Sequence, residues 1–351
     1  MRKSRATGDA PSRAGARTMA EIARLAGVAE STVSRALAGS TRVSGDTRLR
    51  IAELVKEHGY RINSSARNLR TQRSRTIEVV IAISEATRQH FSDPFFSQII
   101  ASLGDALAEN GYDMLLSRQP PWSDVSGADA LTSNRADGVI VIGQGRDPAP
   151  LETYARERKN VVVWGGDIAG RSYPVVGSDN FEGGQLVGRH LMSLGRRRVV
   201  FLGDVGHTEI GLRHRGLVTA LTSMDQASTQ TLTLSMPFDG ASAYEATHEL
   251  FRDRAWHDAV FAASDILAIA AMQALADLGI RVPNDVAVIG YDDIAVSALV
   301  SPALTTVRQD TTAGGRALVS KLLEIMDGET PSDLILPTQL IVRRSCGAPT
   351  R

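Results

Sequence analysis

Short apolar runs recur along the chain at Thr76 to Ile83, Asp113 to Leu116, Gly138 to Ile142, Val161 to Trp164, Val199 to Leu202, Ala259 to Ala262 and Val286 to Tyr291. They read as strands, the first of them, rich in Val and Ile, as a buried one. Between most of them apolar residues fall at helical spacing, and two of these helical stretches close on glycine, at Asn110-Gly111 and Leu278-Gly279. Such a βαβ series implies largely parallel sheets. One sheet of so many strands would be unusually wide, so the pattern predicts an α/β body of two doubly wound lobes. The 351 residues, 43% of them hydrophobic, suffice for this body and one further domain.

That further domain is predicted over residues 18–62. Met19 to Ala26 puts Ile22, Leu25 and Ala26 on one helical face behind Thr18 as N-cap, and Gly27 stops it. After a tight turn through Val28 and Ala29, a second helix turns Val33 and Leu37 inward. That leaves Ser31, Thr32, Ser34 and Arg35 outward, a layout suited to a helix entering the major groove of DNA. Arg35 is the expected base reader, because a guanidinium matches the two acceptors of guanine. A third helix starts at Ser44, buries Ile51, Leu54 and Val55, and ends at Gly59, a left-handed cap candidate. A fourth pattern, Asn63 to Arg70, is about two turns long and would be marginal without a partner.

Charge divides the chain in the same way. Up to Arg75 there are 16 Lys and Arg against 6 Asp and Glu, so a chain of zero formal net charge carries +10 in front and −10 behind. A basic head on an acidic body is the footprint of a nucleic-acid module attached to something else. Residues 1–17 read as a disordered basic arm without the apolar segment of a secretory signal, and no run approaches the length of a membrane span. With one cysteine, Cys346, neither an intramolecular disulfide nor a multi-cysteine metal site can form, which suits a cytoplasmic protein.

The head and its tail resemble the lactose and galactose repressor (LacI/GalR) family. The resemblance lies in Glu21-Ile22-Ala23-Arg24-Leu25-Ala26-Gly27-Val28-Ala29-Glu30-Ser31-Thr32-Val33-Ser34-Arg35, in Val43-Ser44 and Thr47-Arg48, and in Gly59-Tyr60-Arg61-Ile62-Asn63 with Ala66-Arg67-Asn68-Leu69-Arg70. It continues through Asp93-Pro94-Phe95-Phe96, Asp179-Asn180-Phe181-Glu182-Gly183-Gly184, Arg213-His214-Arg215-Gly216, Ser264-Asp265-Ile266-Leu267-Ala268 and Gly290-Tyr291-Asp292-Asp293. The resemblance implies a helix-turn-helix over 18–62, a hinge helix and linker over 63–75, and a periplasmic-binding-protein type I effector domain over 76–345. Its lobes would be about 76–178 with 304–326, and 179–303 with 327–345. It implies DNA contacts at Thr18, Ser31, Thr32, Ser34, Arg35, Asn63, Ala66 and Leu69, the last as an apolar wedge in the minor groove. Ala29 and Ala38 depart from the family, which usually has serine and asparagine there.

Ligands of open parallel sheets bind beyond the carboxyl ends of the strands, and two such edges should face each other here. Asp292 follows its strand directly; Phe95 or Phe96, and Phe238, could present an apolar face to a ring. The resemblance adds Arg213 as a ligand contact, with Gly216 one turn on allowing close helix packing. It also places Ser264 at a sugar-contacting position, although Ser264 equally suits an N-cap. His207 and Glu209 fall where some members contact effector, and Gly165 where some carry an acidic ligand residue; Trp164 could stack on ligand or fill core.

Aromatic faces with planar polar side chains are a sugar-binding chemistry. The expected partners are therefore operator DNA, a carbohydrate effector and a second copy of the chain, with no cofactor and no membrane. Neither a Gly-x-Ser-x-Gly, a His-Glu-x-x-His nor a phosphate-loop signature occurs, and Gly143-Gln144-Gly145 is too short for dinucleotide binding, so an enzyme is not expected. A sugar-uptake receptor or a sugar-acting enzyme would share the body but has no use for the head.

Overall fold

A computed structural model of the chain describes residues 18–37, 40–60, 74–82, 88–118, 136–225, 229–253 and 256–348. Two compact units divide it, Met1–Arg73 and Ser74–Arg351. The first holds three helices among the described residues: α1 (Met19–Ala26), α2 (Glu30–Leu37) and α3 (Gly45–Glu57). Thr18 opens α1 with a reciprocal capping box, its hydroxyl accepting from the Glu21 amide while the Glu21 carboxylate accepts from the Thr18 amide. Gly27 closes α1 at φ 62°, a left-handed conformation that costs a residue without Cβ nothing.

Ile22, Ala23, Ala26, Val33, Ile51 and Tyr60 form the core. Leu25, expected inside, is 45% exposed. It lies about 100° round the helix from the Ile22–Ala23–Ala26 stripe, and Ala23 takes the inward place instead. Arg50 ties α3 to the end of α1 by donating to the Ala26 carbonyl at 2.6 Å. The Asn63 to Arg70 pattern, and with it Asn63, Ala66 and Leu69, lies outside the described residues, as does Ala38.

The second unit contains two six-stranded sheets. One joins β1 (Thr76–Ile81), β2 (Asp113–Ser117), β3 (Gly138–Ile142), β4 (Val161–Trp164), β5 (Val175–Ser178) and β11 (Leu334–Leu336), in the order β11-β5-β4-β3-β1-β2, all parallel. The other joins β6 (Arg198–Leu202), β7 (Gln230–Leu234), β8 (Ala259–Ala262), β9 (Ala287–Asp292), β10 (Thr305–Arg308) and β12 (Gln339–Ile341), in the order β12-β10-β9-β8-β6-β7. Only its β10–β12 pair is antiparallel. Helices α4 (Pro94–Glu109), α5 (Ala149–Arg158) and α10 (Thr311–Met326) go with the first lobe. Helices α6 (Asn180–Ser193), α7 (Thr208–Asp225), α8 (Gly240–Arg252) and α9 (Asp265–Asp277) go with the second.

The chain therefore crosses between lobes after Ser178, between Arg308 and Thr311, and between Leu336 and Gln339. This corrects the expected lobe limits at the C-terminal end. Residues 305–308 belong to the second sheet because they pair with β9, and residues 334–336 belong to the first because they pair with β5. Leu334–Leu336 and Gln339–Ile341, close neighbours in an apolar stretch, are two strands in two sheets. Pro337 stands between them with no amide to give to a ladder.

Candidate functional site

The head presents the pattern its sequence predicts. Val33 is fully buried, Ser31 and Arg35 are exposed, and Thr32 and Ser34 are half-buried on the same short helix. Ala29 has only its carbonyl to offer, which accepts from the amides of Thr32 and Val33 at 2.9 and 3.2 Å; its methyl group cannot take a further helix N–H.

In the body, the carboxyl ends of the strands from both lobes face a cleft of about 110 Å³. All six ligand candidates, Phe95, Phe96, Arg213, Phe238, Ser264 and Asp292, line it, as do His207, Glu209 and Trp164. Arg213 is set by helix packing. Gly216 on α7 and Gly184 on α6 meet so closely that a Cβ on either would overlap a carbonyl of the opposite helix, that of Phe181 or of Arg213 itself. This brings the Arg213 guanidinium 3.6 Å from the centre of the Tyr291 ring, where it donates to Asn180 Oδ1 at 2.8 Å and to the Ala263 carbonyl.

Asp292 ends β9 at φ 113°, a conformation L-residues rarely hold and one that clusters at binding sites. Its carboxylate accepts from Gln309 Nε2 at 2.7 Å. Asp293 turns the other way, into ion pairs with Arg308 at 2.7 Å and Arg343 at 2.6 Å. Beneath both, fully buried Asp265 accepts from the Ile294 amide at 2.9 Å, Ser297 Oγ at 2.6 Å and Thr306 Oγ1 at 2.5 Å, which fixes the turn after β9. Burial raises its carboxyl to about 6. Ser264 caps α9 through the Leu267 amide at 3.4 Å and lines the cleft.

The first lobe contributes Asp93, which caps α4 through the Phe95 amide at 3.0 Å. Phe96 is 7% exposed and belongs to the core; Phe95 is the more open of the two, with its ring 6.3 Å from that of Trp164. Trp164 is itself 4% exposed and mostly fills core. Desolvation raises the carboxyls of Asp93, Glu209 and Asp292, and the nearby Arg213 charge partly offsets this at Glu209 and Asp292. The same burial lowers His207. At the rim, two ion pairs span the lobes, Arg146 to Asp204 at 3.6 Å and Arg88 to Asp239 at 3.9 Å. Asp93, Gln144 and Gln309 also line the cleft, and the sequence reading did not assign them. Asp93 was visible only as part of a family motif, while Gln144 and Gln309 belong to no motif. Among the described residues, no group of His, Cys, Asp and Glu could hold a metal ion, and no helix is long and apolar enough to cross a membrane.

A helix-turn-helix head in one chain with a two-lobed, cleft-bearing α/β body defines a class of DNA-binding regulators. The comparisons agree on both parts. Residues 18–63 match the model for bacterial regulatory proteins of the lacI family, and residues 189–346 match the periplasmic binding protein-like domain. The HTH-type transcriptional regulator CelR of Thermobifida fusca is 35% identical over 335 residues, which are 93% of this chain and 98% of CelR. Among solved structures, a CelR–cellobiose complex is 32% identical with a TM-score of 0.69, covering 94% of this chain and all of the other. A lac repressor dimer bound to operator has a TM-score of 0.81 at 24% identity, covering 94% of this chain and 99% of that one, and shares the fold. The chain belongs to the lacI family of transcriptional regulators.

Proposed function

We propose that this regulator binds a palindromic operator as a homodimer and that a sugar in the cleft sets its affinity for DNA. The observation that carries the ligand side is the convergence of Arg213, Asp292, Phe95 and Phe238 on one cleft, where carboxylates and a guanidinium meet sugar hydroxyls and aromatic faces meet a ring. The relative of known structure that holds cellobiose supports the same class. On the DNA side, Ser31, Thr32, Ser34 and Arg35 read one half-site, Thr18 serves the first helix at the phosphate backbone, and Asn63, Ala66 and Leu69 act at the centre of the operator. Twofold symmetry of the protein is mirrored in that of the DNA. The chain works in the cytoplasm, without cofactor, and releases its ligand unchanged.

The mechanism is linkage. Ligand bridging the two lobes changes their relative setting, and with it the ease with which two hinge segments pair on DNA. Such coupling is typically about 1–3 kcal/mol, a 5- to 150-fold change in affinity, and operator must alter ligand affinity by the same factor. A mobility-shift assay on inverted repeats at fixed salt, with and without mono- and disaccharides, tests this. The expected result is a palindrome-selective complex whose affinity one sugar alters. Binding indifferent to symmetry and to every sugar refutes it.

A further inference from the structure

Gln144 is 3% exposed, stands just beyond β3 and lines the cleft. Its orientation is set by its neighbours. The Gly166 amide can only donate, and it meets the Gln144 side-chain oxygen at 2.9 Å, so the nitrogen is on the other side, 3.3 Å from Tyr173 Oη. One of the two amide N–H groups is thus used by Tyr173, and the other has no protein acceptor among the described residues. Gly165 lies directly under this group. A Cβ there would be 2.5 Å from both Cδ and Oε1 of Gln144, and the backbone of Gly165 is not left-handed, so Gln144 is what forbids a side chain at 165.

We propose that Gln144 is a specificity-determining residue of the cleft, its locked carboxamide filling the volume a side chain at 165 would take and offering the ligand one N–H donor from the first lobe. Beside it on the first-lobe wall are Asp93, a carboxylate already engaged as a helix cap, and Gln89, and the Gln144 N–H adds a donor held in a fixed place. The donor selects ligands with an oxygen acceptor, a ring oxygen or hydroxyl, at that point. The inference rests on the reading of the cleft as a sugar site.

Gln144→Glu separates the donor from its scaffold. A carboxylate still accepts from Gly166, and the Tyr173 hydroxyl can turn to donate to it, but the ligand-facing N–H is replaced by a lone pair. Gln144→Ala removes the group altogether, and adding Gly165→Asn to it brings a carboxamide to the same place from the neighbouring Cα. The full-length protein and these variants are titrated calorimetrically at pH 8 with glucose, galactose, xylose, cellobiose, maltose and lactose, with thermal melts checking the fold. Expected is at least a tenfold loss of affinity for the tightest wild-type sugar in Q144E and Q144A, partly recovered in Q144A/G165N. Should Q144E not fold, the comparison of Q144A with Q144A/G165N decides alone. Folded variants with unchanged affinity and unchanged ranking overturn the inference and leave the sugar reading standing. If no sugar binds the wild type, the sugar reading falls and takes the inference with it.

Discussion

Asp265 offers the sharpest test of how this body is held together. Its carboxyl is raised from 3.8 to about 6, chiefly by burial, so the folded state prefers it protonated. A folded-state value above the unfolded one means that stability is intact below about pH 4 and is lost as pH rises through about 6. Roughly two units at about 1.4 kcal/mol each make the cost about 3 kcal/mol at neutral pH. Asp265→Asn mimics the protonated acid. Its side-chain oxygen can keep the bonds from the Ile294 amide and Ser297, and its NH₂ can donate to Thr306 Oγ1, reversing that bond.

The variant should therefore keep at pH 7 the stability that wild type has near pH 4. Urea unfolding followed by tryptophan fluorescence measures this on the body alone, since all three Trp lie beyond residue 74. The stability difference, variant minus wild type, should rise from near zero at pH 4 to about 3 kcal/mol at pH 7, whatever other groups titrate in both. A flat difference across that range, or a variant less stable at pH 7, refutes the reasoning and makes Asp265 a net stabilising charge.

Other outcomes follow from the same geometry. Arg35→Ala should cost about 1–3 kcal/mol of specific operator binding, and relax the preference at one base pair, with body unfolding unchanged; equal losses on operator and random DNA at fixed salt would make it a phosphate contact. Asp292→Ala should weaken sugar binding at least tenfold while DNA binding without sugar persists, and calorimetry showing unaltered affinity removes it from the site. Gly216→Ala forces a methyl against the Phe181 carbonyl, so α6 and α7 must part; urea midpoints should show a loss of about 1–3 kcal/mol or more, and wild-type stability would mean that the helices give way freely.

What could be read without coordinates was whatever is local. Gly138–Ile142, Val161–Trp164 and Ala259–Ala262 are strands at the limits their apolar runs suggest, because a strand buried on both faces needs no partner to be recognised. The cap of α1 was legible for the same reason, since Thr18 and Glu21 are three residues apart. Which sheet a strand joins is not local. Thr305–Arg308 and Leu334–Leu336 carry no mark of the lobe they enter, and only their partners β9 and β5 decide it. Helical spacing likewise could not say that α1 turns Ala23 rather than Leu25 inward, because two helices pack on it at once. In the cleft, Asp292 was picked out by its position at the end of a strand and Arg213 by the family resemblance, whereas Gln144 escaped because an amide has no motif. Its place is visible only in the volume above Gly165, which its carboxamide fills.

The route of the chain between lobes has an engineering consequence. Residues 305–341 supply strands to both sheets and a helix to the first lobe, so neither lobe is a continuous piece of polypeptide. No single cut yields a half-protein able to close its own core, and a stop codon near 304 would damage both halves together. Anyone wishing to splice this sensor to another output must therefore carry the whole body from Ser74 through Cys346, past β12, as one indivisible cassette.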